Sequence, residues 1–76
     1  MKTITLHCHS KNSGGNYSES IRIDGVSKEV IQERKNEIFE AAEKSLGNFY
    51  YTVESYDELT LQEEELLSDL DLEIDF

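Results

Sequence analysis

Apolar and polar residues alternate strictly at the start of the chain. In residues 3–9 (TITLHCH), Ile4, Leu6 and Cys8 occupy one side of an extended segment, and threonine and histidine occupy the other. A glycine-containing loop follows at residues 11–16, and a second alternating segment covers residues 17–24. Two alternating segments around such a loop predict a β-hairpin with one buried face.

The next apolar pattern has the period of a helix. Ser27 is a suitable N-cap and Gly47 a suitable stop, so the pattern predicts a helix over residues 28–46. Residues 48–56 (NFYYTVESY) are rich in aromatic and β-branched side chains, which favours a third strand. The apolar stripe predicted for the helix consists of Val30, Ile31, Ile38, Phe39, Ala42 and Leu46.

The C-terminal segment changes its period partway along. Thr60 and Glu63 fit a capping box, which predicts a short helix from residue 61 to about residue 68. Apolar and acidic residues then alternate from Asp69 to the end, which predicts a strand at the edge of the sheet. The sequence therefore indicates a single α+β domain over residues 1–76. Its mostly antiparallel sheet packs on one main helix, in the order ββαβ, short helix, edge strand.

The charge is distributed very unevenly along these elements. The 76 residues carry a net charge of −10. Acidic and basic residues balance over residues 1–53, whereas residues 54–76, here called the acidic segment, hold ten acidic residues and no basic one. This asymmetry disfavours direct binding to nucleic acid or to an anionic membrane and favours a basic protein partner. A single cysteine and the lack of a secretory signal or long apolar run predict a cytoplasmic protein.

Histidine and cysteine side chains are the first candidates for chemistry. On a strand, His7 and His9 share one face and Cys8 faces the other, so the three cannot bind one ion together. The acidic residues from Asp69 onward resemble the start of a calcium loop, but Ile74 stands where that loop needs glycine. Motifs for nucleophilic or phosphate chemistry are absent. We therefore expect no enzyme activity, no metal and no cofactor.

The acidic segment is the remaining candidate for function. On a strand, Asp69, Asp71, Glu73 and Asp75 form a straight row of carboxylates about 6.6 Å apart, a spacing comparable to that of phosphates along a nucleic-acid strand. The alternative is a charged face that confers solubility and protects a sheet edge. The residues predicted to bind a partner are Glu54, Asp57, Glu58, Glu63, Glu64, Glu65, Asp69, Asp71, Glu73 and Asp75.

In size, acidity and the combination of one sheet with one main helix, the chain resembles phage-encoded inhibitors of bacterial defence, namely anti-CRISPR proteins and other DNA mimics. The residues behind this resemblance lie between Glu54 and Asp75. It implies a non-enzymatic, stoichiometric inhibitor in the host cytoplasm that binds the basic nucleic-acid groove of a nuclease or CRISPR effector. Two alternatives stay open: an antitoxin or immunity-type protein that neutralises a basic toxin, and an adaptor that donates its C-terminal strand. A homodimer is a further possibility.

Overall fold

The computed structural model describes residues 1–12 and 14–74, and it has the α+β architecture predicted from the sequence. Three strands and two helices form within this part of the chain. In chain order they are β1 (Thr3–Ser10), β2 (Asn16–Arg22), α1 (Lys28–Leu46), β3 (Phe49–Glu54) and α2 (Leu61–Asp69).

The first strand of the chain lies at the centre of the sheet. The order is β2-β1-β3, and both pairings are antiparallel. Thr3 pairs with Arg22 in the hairpin, and Thr5 pairs with Glu54 in the second pairing. The predicted hairpin is therefore confirmed, and β3 completes the sheet on the other side of β1.

Each strand turns one face toward the helices, here called the inner face, and one toward solvent, the outer face. Cys8 lies fully buried on the inner face, and burial raises the pKa of its thiol. Helix α1 packs most closely on β2, while Phe39 reaches Phe49 and Tyr51 on β3 with ring centroids 5.7 and 4.8 Å away. The buried core consists of Ile4, Leu6, Cys8, Ile21, Ile23, Ile31, Ile38, Ala42, Val53, Leu67, Leu70 and Leu72.

Both ends of α1 follow the sequence prediction. The Ser27 hydroxyl accepts a hydrogen bond from the backbone N–H of Val30 at 3.3 Å. At the other end Gly47 adopts φ 71°, which suits glycine, and its N–H donates to the Glu43 carbonyl. The predicted apolar stripe is wrong in one position, because Val30 lies in the first turn and remains 50% exposed.

The predicted edge strand is absent from the described residues beyond Asp69. Helix α2 instead ends in a Schellman motif, in which the Leu72 N–H donates to the Leu67 carbonyl at 2.7 Å. The Asp71 N–H donates to the Ser68 carbonyl at 3.1 Å, and Asp71 has a left-handed φ of 59°. The chain thus reverses direction where the sequence predicted an extended segment. Asp75 and Phe76, the last residues of that predicted strand, lie outside the described residues.

The alternation that suggested a strand reflects burial rather than an extended backbone. Leu70 and Leu72 are buried and Ile74 is half-buried, whereas Asp71 and Glu73 are exposed. Side chains from the rest of the fold bond the backbone here. Lys35 donates to the Leu70 carbonyl at 2.6 Å, and the Tyr51 hydroxyl donates to the Asp71 carbonyl at 2.7 Å. These carbonyls are therefore engaged by side chains instead of by a strand ladder.

Candidate partner-binding surface

Acidic side chains from three separate parts of the chain meet around Ile74. Two adjoining shallow grooves share Glu64 and Ile74 in their walls. Asp57 and Glu58 line one of them, and Glu73 lines the other. We call the surface formed by Asp57, Glu58, Glu64 and Glu73 around Ile74 the acidic groove. Apolar contributions to its lining come from Leu59 and Leu67.

Local structure brings these acidic residues together. A turn follows β3, in which the Ser55 hydroxyl donates to the Asp57 carbonyl and accepts from the Asp57 N–H, at 3.0 and 3.2 Å. The capping box predicted at Thr60 is present and starts α2, so Glu64 lies in the first turn of that helix. The Schellman motif then returns the chain and places Glu73 beside Glu64 in the same groove. A different local hydrogen-bonded motif therefore positions each of the three segments.

Three of the predicted partner-binding residues have a cationic or histidine partner within the chain. Glu63 forms an ion pair with Lys2 at 2.8 Å, Asp69 approaches Lys28 at 3.8 Å, and Glu54 bonds His7 at 2.9 Å. The hydrogen bond from Lys2, reinforced by the backbone N–H of Thr60, lowers the pKa of Glu63. The same contact raises the pKa of Lys2. Glu63 thus connects the start of the chain to α2 and is less available to a partner than its neighbours.

The other predicted residues that the structure describes present their charge to solvent. Asp57 accepts a hydrogen bond from the Thr3 N–H at 3.1 Å, and Glu73 accepts one from the Ser68 hydroxyl at 2.9 Å. Asp75 lies outside the described residues. Within residues 1–12 and 14–74, the predicted acidic residues without an ion pair inside 4.0 Å are Asp57, Glu58, Glu64, Glu65, Asp71 and Glu73.

The straight carboxylate row predicted for the end of the chain does not form over the described residues. Asp69 closes α2, Asp71 occupies the left-handed turn, and Glu73 lines the acidic groove. Because the backbone reverses between these positions, their side chains do not share one face of a strand. Sequence periodicity missed the acidic groove, since it depends on Glu73 folding back beside Glu64, a contact between elements.

A second polar constellation crosses the outer face of the sheet. His7 bonds the Ser18 hydroxyl through Nδ1 and the Glu54 carboxylate through Nε2, both at 2.9 Å. His9 donates from Nδ1 to the Asn16 side-chain oxygen at 2.8 Å and stacks on Tyr50, with ring centroids 5.0 Å apart. The sequence correctly placed both histidines on the face opposite Cys8. It did not identify their partners, which lie on neighbouring strands.

Ser18, His7 and Glu54 are hydrogen-bonded in the order of a catalytic triad, and the three residues lie on three different strands. Backbone N–H groups of a strand lie in the plane of the sheet and point toward neighbouring strands, so they do not project from its outer face. We interpret the three side chains as a hydrogen-bond network that ties β2, β1 and β3 together.

Among the described residues, no three or more histidine, cysteine, aspartate or glutamate side chains are arranged to hold a metal ion. Neither of the two helices described is both long enough and apolar enough to cross a membrane. Comparisons with protein-family models, with curated proteins and with solved structures gave no match. The surface and its charges are therefore the basis for inferring function.

Proposed function

We propose that this protein is a non-enzymatic inhibitor whose acidic groove binds the basic nucleic-acid-binding groove of a nuclease or CRISPR effector. The observation that carries the proposal is the convergence of Asp57, Glu58, Glu64 and Glu73 around Ile74. These residues come from three segments of the fold, and they belong to a stretch of the sequence without lysine or arginine.

The physical basis is the exchange of one anion for another. A basic nucleic-acid channel holds counterions that phosphate groups displace, and carboxylates on a protein surface displace them in the same way. The acidic groove presents exposed carboxylates beside the half-buried apolar side chains of Ile74 and Leu59. Charge then governs the rate and salt dependence of association, while the apolar surface excludes water at the centre of the contact.

A solubilising role alone accounts less well for the charge pattern. Residues 1–53 are charge-balanced, so the fold already carries mixed charges over most of its surface. The acidic groove adds like charges side by side, which costs stability through self-repulsion. A partner that supplies the opposite charge gives this arrangement a function.

The strand-donating adaptor is disfavoured by the core. Leu72 is fully buried and Leu70 is 5% exposed, so donating this segment to a partner would remove both side chains from the protein's own interior. An antitoxin that neutralises a basic toxin uses the same electrostatics as the proposed inhibitor. The identity of the captured partner distinguishes the two functions.

The proposal is tested by affinity capture from a bacterial lysate that contains nucleases and CRISPR effectors, with and without competing duplex DNA. The test variant combines Glu58→Gln, Glu64→Gln and Glu73→Gln in the acidic groove. The matched control combines three substitutions to glutamine at Glu33, Glu40 and Glu43, exposed residues of α1, and therefore has the same net charge.

We expect the unmodified protein and the control to capture a nucleic-acid-binding protein, to lose it when DNA is added, and to block its cleavage of DNA. The groove variant loses capture and inhibition, and binding by the unmodified protein weakens as salt rises. Equal inhibition by the two variants would show that the acidic groove is not the binding surface. Capture of a toxin without affinity for DNA would favour the antitoxin function instead.

A further inference from the structure

We infer that two copies of this protein pair through the outer edge of β2 and form one continuous sheet. The direction of the backbone N–H and C=O groups decides which residues of β2 face this edge. Ser10 donates to the Gly15 carbonyl and Ile23 donates to the Lys2 carbonyl, which fixes the hydrogen-bonded positions of the hairpin. Bonded pairs alternate along an antiparallel ladder, so Tyr17 and the other odd-numbered residues of β2 bond to β1.

The even-numbered residues of β2 consequently direct their N–H and C=O groups away from β1. They are Asn16, Ser18, Ser20 and Arg22. Among residues 1–12 and 14–74, no strand pairs with β2 on this side. A row of outward-facing backbone donors and acceptors is a template for a further strand.

The side chains along this edge carry little charge, in contrast to the acidic segment. Ser18 and Ser20 are uncharged and lie on the outer face. Glu19 points to the inner face, where Arg34 of α1 pairs with it at 3.1 Å and the Tyr17 hydroxyl donates to it at 3.3 Å. Arg34 thus offsets part of the charge of Glu19 within each copy, and Arg22 pairs with Asp24 at 3.3 Å, so the edge offers no row of like charges to repel an identical strand.

The sequence of β2 favours one register for a two-fold symmetric pair. If Ser18 faces Ser18 of the second copy, Asn16 faces Ser20 on the outer side and Tyr17 faces Glu19 on the inner side. Each outward-facing pair then exchanges two backbone hydrogen bonds. The neighbouring register centred on Glu19 places two carboxylates opposite each other, which is unfavourable. We therefore assign the pairing centred on Ser18.

The net charge of −10 does not prevent this association. In the combined sheet the strand order is β3-β1-β2-β2-β1-β3, so the two copies of β3 lie about 24 Å apart at a spacing of about 4.8 Å per strand. The acidic segment begins at the end of β3, at Glu54, on the side away from β2. At physiological salt the Debye length is about 8 Å, so repulsion between the two copies of Glu54 and the residues that directly follow it is largely screened. Asp69, which lies beside α1, is paired there with Lys28 at 3.8 Å.

The test compares Ser20→Pro with Ser20→Ala. Both substitutions remove the hydroxyl, but only proline removes the outward N–H and places its ring against the second strand. Because this N–H does not bond to β1, proline leaves the ladder within each copy intact. Sedimentation velocity over a concentration series measures association, and circular dichroism checks the fold of each variant.

We expect the unmodified protein and Ser20→Ala to show a concentration-dependent dimer, and Ser20→Pro to remain monomeric. Amide exchange of the unmodified protein provides a second measurement that does not depend on the proline variant folding. The Ser18 and Ser20 amides become protected as concentration rises, whereas the Tyr17 amide is protected throughout. A monomer at all concentrations, or a dimer in which the Ser18 and Ser20 amides exchange freely, would overturn the inference.

Discussion

Replacing Asp71 with glycine is expected to stabilise the protein, because Asp71 occupies the left-handed position of the Schellman motif with φ 59°. A left-handed backbone costs an ordinary L-residue about 1–2 kcal/mol, and aspartate part of that. Glycine removes this strain, although its greater freedom in the unfolded chain offsets some of the gain. The expected net increase in the free energy of unfolding is about 0.5–1 kcal/mol, which raises Tm by about 2–8 °C in a domain of this size.

The opposite substitution is Asp71→Val, which is expected to lower the free energy of unfolding by about 1–2 kcal/mol, because a β-branched residue is disfavoured at positive φ. If the residues after Asp69 instead formed a strand, the two expected effects on the free energy of unfolding would be reversed. Valine at position 71 would stabilise the protein and glycine would destabilise it. The two variants therefore distinguish the left-handed turn from the strand that the sequence alone suggested.

Urea unfolding followed by circular dichroism measures these differences. Glu73→Gly is the matched control, since it removes a carboxylate from the same exposed segment at a position without a left-handed φ. We expect no stabilisation from this control. A loss of stability in Asp71→Gly, or a gain in Asp71→Val, would refute the left-handed turn at this position.

Three further predictions concern the C-terminal part of the chain and the contact that Lys2 makes with it. Leu72→Ala is expected to lower the free energy of unfolding by about 2–5 kcal/mol, because this side chain is fully buried. Leu61→Ala is the control: its site is 71% exposed, and we expect a change of less than about 0.5 kcal/mol. Equal effects of the two variants in urea unfolding would contradict the described packing. Thr60→Ala removes the N-cap of α2 and is expected to cost about 1 kcal/mol, with Thr60→Ser as the control that keeps the cap. Glu63→Gln keeps the capping box but loses the ion pair with Lys2. Because the pKa of Glu63 is lowered in the folded state from its usual 4.5, the stability that its charge contributes is present above that pH and is lost as pH falls below it. The difference in Tm between the unmodified protein and Glu63→Gln therefore shrinks as pH falls from about 6 to about 3. A difference that stays constant over this range would exclude a contribution of the Glu63 charge to stability.

Sequence patterns predicted those parts of the fold that local interactions determine. Ser27 and Gly47 cap α1 through contacts with neighbouring residues in the sequence, so they predict its ends without knowledge of the rest of the chain. Thr60 and Glu63 predict the start of α2 in the same way. The alternation in residues 3–9 also predicted that Cys8 lies on the face of the sheet opposite the two histidines, because a strand has a side-chain period of two residues.

The end of the chain could not be assigned from its pattern, because two structures produce the same alternation. In a Schellman motif the residue after the left-handed position packs against the last helical turn, as Leu72 does near Leu67. Burial then alternates even though the backbone turns. Glycine at position 71 would have signalled the turn, but aspartate occupies it and completes an apparently regular acidic row. The acidic groove depended on the same turn and was missed with it.

The strand order has a consequence for how the chain folds as it is synthesised. The central strand β1 is made first, its partner β2 follows at once, and β3 arrives only after the whole of α1. A chain ending at Gly47 has two of the three strands, with α1 available to pack on them, but not the third strand. Its central strand then lacks the partner that β3 supplies, and the inner face lacks Val53, Leu67 and Leu72. Stable folding therefore awaits the last third of the sequence, so the segment that carries the charge also completes the core.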